Sequence, residues 1–467
     1  MAKRQLIAGV DSSTQSVKVV IRDSNTGELV RQGRASHPDG TEIDPVHWIN
    51  GLNTAISEAG GIKDVSAISI AGQQHGMVAL DSNGSVIRDA LLWNDVRSAQ
   101  AAEDLNREAG GDTEIAKKTG SKLVASFTAA KLRWLADHEP VNATKTASIA
   151  LPHDWLSWQL QGGKDLSKLF TDRSDASGTG YFDPSTSKYR KEIIELALGN
   201  NRELELPRIV SPSDFGGTTL EGIPIAAGAG DNAAAALGLQ AQPGDVVVSL
   251  GTSGTAFAVS DTPTHDSSGS VAGFADATGR YLPLVCTLNA ARILDAACHM
   301  LGKTHDEIAA LALSAQPGAG GLTLLPYFEG ERTPNRPNAT GVFSGMNISN
   351  SNPADISRAM IEGMLSGLAD AVDSLVSLGV NVQRILLIGG AAKNPAVPLI
   401  ASALFGREVL VPPAGEYVAN GAAKQAAWAL LGETPQWDLG LVQHHSSLST
   451  PHVIEKYRIL KEQTKQW

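Results

Sequence analysis

Short apolar runs, each stopping at a turn of small polar residues or glycine, recur along the chain. Residues 6–10 are apolar and end at Asp11-Ser12-Ser13-Thr14-Gln15-Ser16, after which residues 17–21 form a second run. This reads as two strands joined by a polar turn, and Asp23-Ser24-Asn25-Thr26-Gly27 then turns the chain into a third strand. Asp44 precedes Pro45, a helix start, and the helix is expected to reach about Glu58. Residues 65–70 return as a strand that ends at Ala71-Gly72-Gln73-Gln74-His75-Gly76. The second half repeats the order. A strand at 246–250 stops at Gly251-Thr252-Ser253-Gly254-Thr255, and another follows. A long helix from Pro353 to about Leu378 carries apolar residues at Ile356, Met360, Met364, Leu368 and Val372, a helical spacing. It leads to a strand at 384–388 and the turn Gly389-Gly390-Ala391-Ala392. The shared order predicts a diverged duplication: two α/β lobes, residues 1–240 and 241–467, with a cleft between them suited to a ligand.

Between the two repeats lies a third pattern. Residues 223–227 read as a buried strand, Gly228-Ala229-Gly230 as a turn, and Asp231-Asn232 as the start of an alanine-rich helix. Asp231 is expected at the N-cap, where its carboxylate accepts backbone N–H bonds. The same position suits a proton acceptor for a substrate hydroxyl, because the glycines let another group approach the backbone. Local pattern alone leaves both roles open. As an ordinary carboxyl at a helix N-terminus it is expected to titrate at about 4.

Composition narrows the class. Hydrophobic residues make up 42% of the 467 and charged residues 19%, values of a globular chain of about two domains. No apolar run is long enough to span a membrane, and the apolar stretch behind Lys3 and Arg4 is too short for a signal peptide. Cys286 and Cys298 are the only cysteines, which excludes a disulfide framework and a cysteine metal site and points to a reducing, cytoplasmic setting. The net charge of −11, without a basic stripe, argues against nucleic acid. A homodimer is compatible with all of this.

The candidate chemistry sits on the turns. Residues 11–16 and 251–255 end equivalent strands and offer backbone N–H and hydroxyl donors to an anion. As a pair, they could clamp a polyphosphate. Neither is a Walker loop, and Gly228-Ala229-Gly230 lacks a dinucleotide fingerprint. Asp11 suits a magnesium ion held through water, or a turn-initiating side chain. Lys18 suits phosphate charge, or a solvated strand position. Gln74 and His75 can hydrogen-bond a polyol, and Trp93 fits either the wall of the same pocket or the core.

Two longer patterns add a resemblance. The run Ser126-Phe127-Thr128-Ala129-Ala130-Lys131-Leu132-Arg133-Trp134-Leu135-Ala136-Asp137-His138 is similar to one signature of the FGGY carbohydrate kinases, in the actin-like ATPase superfamily. Gly341-Val342-Phe343-Ser344-Gly345-Met346, eight residues, then Asp355-Ile356-Ser357-Arg358-Ala359-Met360-Ile361-Glu362 resembles the other. The resemblance implies two actin-like (ribonuclease H-like) lobes, each a mixed sheet flanked by helices. It implies transfer of the ATP γ-phosphoryl group to a ketopentose such as D-xylulose. L-Ribulose, another ketose, a polyol or a sugar acid, and a catalytically dead sugar sensor, stand as alternatives. By the same resemblance Asp231 is the catalytic base and a sugar contact beside Asn232, and Gln74, His75 and Trp93 bind sugar. Thr14, Gln15, Ser16, Lys18, Gly251 and Thr252 surround the ATP phosphates, Asp11 helps place Mg2+, and Gly390 and Asn394 line the adenosine site. Ala391 stands where many relatives carry a third glycine.

Overall fold

The computed structural model describes residues 4–466 and divides by contact into two units. One comprises the chain through Ala241 together with Asp261–Leu282 and Glu416–Asp438; the other comprises Gln242–Ser260, Pro283–Gly415 and the chain from Leu439. Both units are therefore discontinuous.

In the first unit a sheet runs in the order Phe215–Thr218, Pro224–Ala226, Val65–Gly72, Leu6–Ser12, Ser16–Asp23, Leu29–Ser36, and Ala229–Gly230 also pairs with Val65–Gly72. The central strand Leu6–Ser12 is buried almost throughout because helices cover both faces. One face packs against Trp48 and Leu52 of the helix Val46–Glu58 and Trp155, Leu156 and Trp158 of the helix Pro152–Leu160. The other meets Ala419, Ala423, Ala426 and Ala427 of the helix Tyr417–Leu431. A Cβ at Gly9 would lie 2.1 Å from the Ala419 carbonyl oxygen. Small residues on both sides thus let this helix lie directly on the strand, which fixes Glu416–Asp438 in the first unit.

In the second unit the strands run Tyr281–Thr287, Gly254–Ala258, Asp245–Leu250, Arg384–Ile388, Val409–Val411, Gln443–His445. Their directions repeat those of the first sheet read from Leu29–Ser36: two antiparallel pairings, two parallel, one antiparallel. The polar turns after Ser12 and after Leu250 are therefore topological equivalents, as a duplication requires. The long helix spans Pro353–Ser377 and buries Met360, Met364, Leu368 and Val372. Asn352 caps it, accepting hydrogen bonds from the Ala354 and Asp355 backbones. No helix among the described residues is long and apolar enough to cross a membrane.

Candidate active site

Strand ends of the first sheet gather most of the candidate side chains. Asp11 is the penultimate residue of its strand and pairs in register with Lys18 on one side and Ala71 on the other. Gly230 pairs with Gly72, so Asp231 emerges beside the Gln73-Gln74-His75 loop. The closeness is measurable: a Cβ at Gly230 would lie 2.7 Å from Gln74 Nε2.

Asp231 is the first residue of the helix Asp231–Gly238, and Gly230 is its N-cap. The expected cap is displaced by one residue because Gly230 keeps an extended backbone, with φ −63° and ψ 150°, and helical geometry begins at Asp231. The carboxylate is occupied locally. Its Oδ1 accepts bonds of 2.7 Å from both the Asn232 backbone N–H and the Asn232 side-chain amide. Its pKa is pushed up to about 6 by burial, against the lowering effect of those two Asn232 bonds. The expected value of about 4 is thereby corrected: desolvation outweighs the helix terminus.

Gln74 and His75 are both buried. The Gln74 amide donates to the Ser174 carbonyl at 2.9 Å, which leaves its Oε1 for a substrate hydroxyl. His75 Nδ1 lies 2.6 Å from the Gly178 carbonyl, so Nδ1 carries a proton and the ring orientation is fixed. His75 also has φ 71°, a left-handed conformation that few side chains adopt and that accompanies functional loops. Phe127 and Phe274 flank the ring at centroid distances of 5.0 and 5.7 Å. Trp93 is half-buried, and its indole N–H donates to Thr14 Oγ1 at 2.9 Å. That hydroxyl reaches Gln73 Oε1 at 3.3 Å. Trp93 is thus tied to the first polar turn.

In that turn Ser13 donates to the Ser16 carbonyl through both backbone and hydroxyl, which folds the loop tightly and leaves Gln15 exposed. Lys18 Nζ lies 2.6 Å from Glu416 and 3.9 Å from Asp11. Asp11 is only 5% exposed, and burial raises its pKa to about 7; Lys18 lowers it, while Asp231 and Glu416 add to the rise. Three buried polar atoms here lack a hydrogen-bond partner among the described residues: Asp11 Oδ1, Ser12 Oγ and Gln73 Nε2. Orphaned groups of this kind are costly unless a ligand or water completes them. A carboxylate oxygen beside neutral donors fits a hydrated magnesium ion, which keeps several waters and takes few protein ligands. Gln73 and Glu416 were not legible as site residues in the sequence. For Gln73 the signal was its place in the glycine-flanked loop; Glu416 gives none, standing 398 positions from Lys18 in the chain.

The second unit holds Gly251, Thr252, Gly390 and Asn394. Gly251 follows Asp245–Leu250, and its carbonyl accepts from the Ala291 N–H at 2.9 Å. Thr252 is exposed. Gly390 opens the turn after the neighbouring parallel strand Arg384–Ile388, and a Cβ there would meet nothing within 4 Å. Its bare backbone is open to a flat ligand. Asn394 is mostly engaged in structure: Oδ1 accepts from Ala396 N and Nδ2 donates to the His305 carbonyl. The Ala391 methyl is buried.

The glycine turn before Asp231 yields a stability prediction. A Cβ at Gly228 would lie 2.3 Å from the His153 ring and 2.7 Å from the Ile70 carbonyl oxygen, at φ +81°. Gly228→Ala is expected to destabilise the protein by about 3 kcal/mol, read as a lower urea midpoint. An unchanged midpoint would mean that the turn has room the structure does not give it.

Comparison with known proteins agrees with this architecture. Residues 6–238 match the N-terminal domain of the FGGY family of carbohydrate kinases, and residues 246–430 match its C-terminal domain. The xylulose kinase of Streptomyces coelicolor is 42% identical, covering 92% of this chain and 89% of that protein. The xylulose kinase of Escherichia coli is 32% identical, covering 90% and 89%. The crystal structure of xylulose kinase from Bifidobacterium adolescentis superposes with a TM-score of 0.92 at 46% identity, covering 98% of this chain and 99% of that one. The mixed sheets flanked by helices are those of that fold, and the chain belongs to the FGGY family of carbohydrate kinases.

Proposed function

We propose that this carbohydrate kinase transfers the γ-phosphoryl group of ATP to O5 of a ketopentose, D-xylulose. The observation that carries the reading is the placement of Asp231, with its raised pKa of about 6, against the Gln74-His75 loop. Asn232 engages Oδ1, so Oδ2 is the oxygen that takes the hydroxyl proton as the new O–P bond forms. At neutral pH Asp231 is mostly ionised, and a base near pKa 6 is a better acceptor than one at 4. Gln74 Oε1 accepts from a sugar hydroxyl, and His75, its ring held by the Gly178 carbonyl, helps orient the chain of carbons. The names of the relatives supply the sugar: two thirds or more of each is covered by this chain, and each is a xylulose kinase.

Residues 1–240 are proposed as the sugar lobe, carrying the base and the first phosphate turn, and residues 241–467 as the nucleotide lobe. Thr14, Gln15, Ser16, Lys18, Gly251 and Thr252 are assigned to the phosphates, and Gly390 and Asn394 to the adenosine. Mg2+ bound near Asp11 would neutralise phosphate charge, which phosphoryl transfer needs more than covalent help. Cys286 and Cys298 form no disulfide, which suits a reducing cytoplasm. A homodimer is the assembly to test, by sedimentation.

The test is ADP release with Mg-ATP over pentuloses, hexuloses, polyols, glycerol and sugar acids. D-Xylulose should give the highest kcat/KM. A higher value for L-ribulose or a sugar acid would move the substrate, and sugar-independent ADP release throughout would end the kinase assignment.

A further inference from the structure

A buried charged cluster touches the glycine turn that leads to Asp231. His153, Asp154 and Asp175 are 0%, 2% and 0% exposed. His153 is the second residue of the helix Pro152–Leu160, and Asp175 lies in the short helix Arg173–Ser177. His153 Nδ1 is 2.7 Å from Asp175 Oδ2 and 3.0 Å from Asp154 Oδ1. Its Nε2 is 3.1 Å from the Ala227 carbonyl oxygen. A carbonyl only accepts, so Nε2 carries a proton, and Nδ1 and Asp175 Oδ2 share a second one across their 2.7 Å contact. Burial opposes a charged ring, and Asp154 and Asp175 outweigh it and raise the His153 pKa well above its ordinary value, while burial raises the Asp175 carboxyl to about 7.

The contacts of this cluster converge on the site. The Arg173–Ser177 segment and the residue after it hold three site elements by backbone or hydroxyl groups. The Ser174 carbonyl accepts from Gln74, Ser174 Oγ accepts from the Gly230 N–H at 3.0 Å, and the Gly178 carbonyl accepts from His75. Asp172 caps that helix through the Ser174 and Asp175 N–H groups. Ala227 stands four residues before Asp231. His153 also sets where glycine is required: a Cβ at Gly228 would strike its ring, and one at Gly72 would lie 3.0 Å from its Cβ.

We propose that His153 is a positioning residue for phosphoryl transfer: bridging Asp175 and the Ala227 carbonyl, it locks the helix that holds Gln74 and His75 to the turn that carries Asp231. This rests on Asp231 being the base. A hydrophobic filler would pack the same volume but would not join two elements by directed bonds, and a buried ion pair is weak as a stabiliser by itself. The expected effect of losing it is misalignment of base and hydroxyl, to which rates are sensitive at the scale of 1 Å.

The experiment uses the full chain with His153→Gln and with His153→Gln/Asp175→Asn. The double variant removes the cation together with one of its carboxylates, which guards against simple unfolding. In the double variant, kcat is expected to fall tenfold or more and sugar KM to rise several-fold, with ATP KM within twofold of the parent. Nitrogen-15 spectra of histidine-labelled parent should show one ring protonated on both nitrogens at neutral pH, and the His153→Gln spectrum should lack it. A double variant that folds with parental kcat and sugar KM overturns the proposal. So does a stoichiometric metal ion that survives chelation in the parent and disappears with His153, since Nδ1 would then be a ligand. Asp231→Asn, assayed in parallel, separates the two readings. Retained turnover there defeats the base assignment, whereas a dead Asp231→Asn beside a fully active double variant defeats only the role of His153.

Discussion

The Asp231→Asn protein is expected to turn over about 10²–10⁴-fold more slowly than the parent and to be more stable than it at pH 7. Asparagine keeps the size and the contact with Asn232 but cannot take a proton. ATP binding, measured by calorimetry, should be nearly unchanged. The stability gain follows from the direction of the pKa shift. Burial raises the carboxyl from 3.8 to about 6, so above pH 6 the folded protein holds a carboxylate that the unfolded chain would solvate better. That penalty is worth about 2 kcal/mol after allowance for partial exposure. It is fully present above the folded pKa and disappears as pH falls toward 3.8, so urea midpoints of parent and variant should converge in acid. The same titration sets the rate profile: kcat/KM of the parent should fall tenfold per pH step below about 6. Parental turnover in Asp231→Asn would remove the base assignment. Equal stability of the two proteins at pH 7 would remove the desolvated carboxylate.

The strand–turn–strand–helix order was legible because strand ends carry small polar residues and helices carry a four-residue apolar stripe. The Pro353–Ser377 helix and the two equivalent polar turns followed from that alone. Legibility stopped where partners come from distant chain. The helix Tyr417–Leu431 has an alanine face like many helices, and its attachment to the first sheet depends on the glycine at position 9 and the small side chains opposite it. Glu416 meets Lys18, and His153 meets Asp175, through tertiary folding that no local spacing encodes. Asp231 was legible as a candidate because aspartate after a glycine turn marks a helix start. Its raised pKa was not, because desolvation depends on what surrounds it in space.

Asp11→Asn should separate the metal role from the fold. Asp11 is buried, and its nearest cation, Lys18, lies at 3.9 Å while making its shorter contact with Glu416. Its Oδ1 has no partner among the described residues. A structural carboxylate is normally satisfied, and removing one from a satisfied network costs stability. Asp11 presents the opposite case, a carboxylate raised to about 7 by burial and held in an unfavourable setting. Asparagine at this position should therefore leave the protein at least as stable at pH 7. The Mg2+ concentration for half-maximal rate should rise about 10- to 100-fold, and kcat at saturating Mg2+ should fall by about 10²-fold. Sugar binding without nucleotide should be unaffected. The measurements are Mg2+ titrations of initial rate and urea unfolding of both proteins. An unchanged Mg2+ dependence together with a lower urea midpoint would make Asp11 a structural residue and remove it from the metal site.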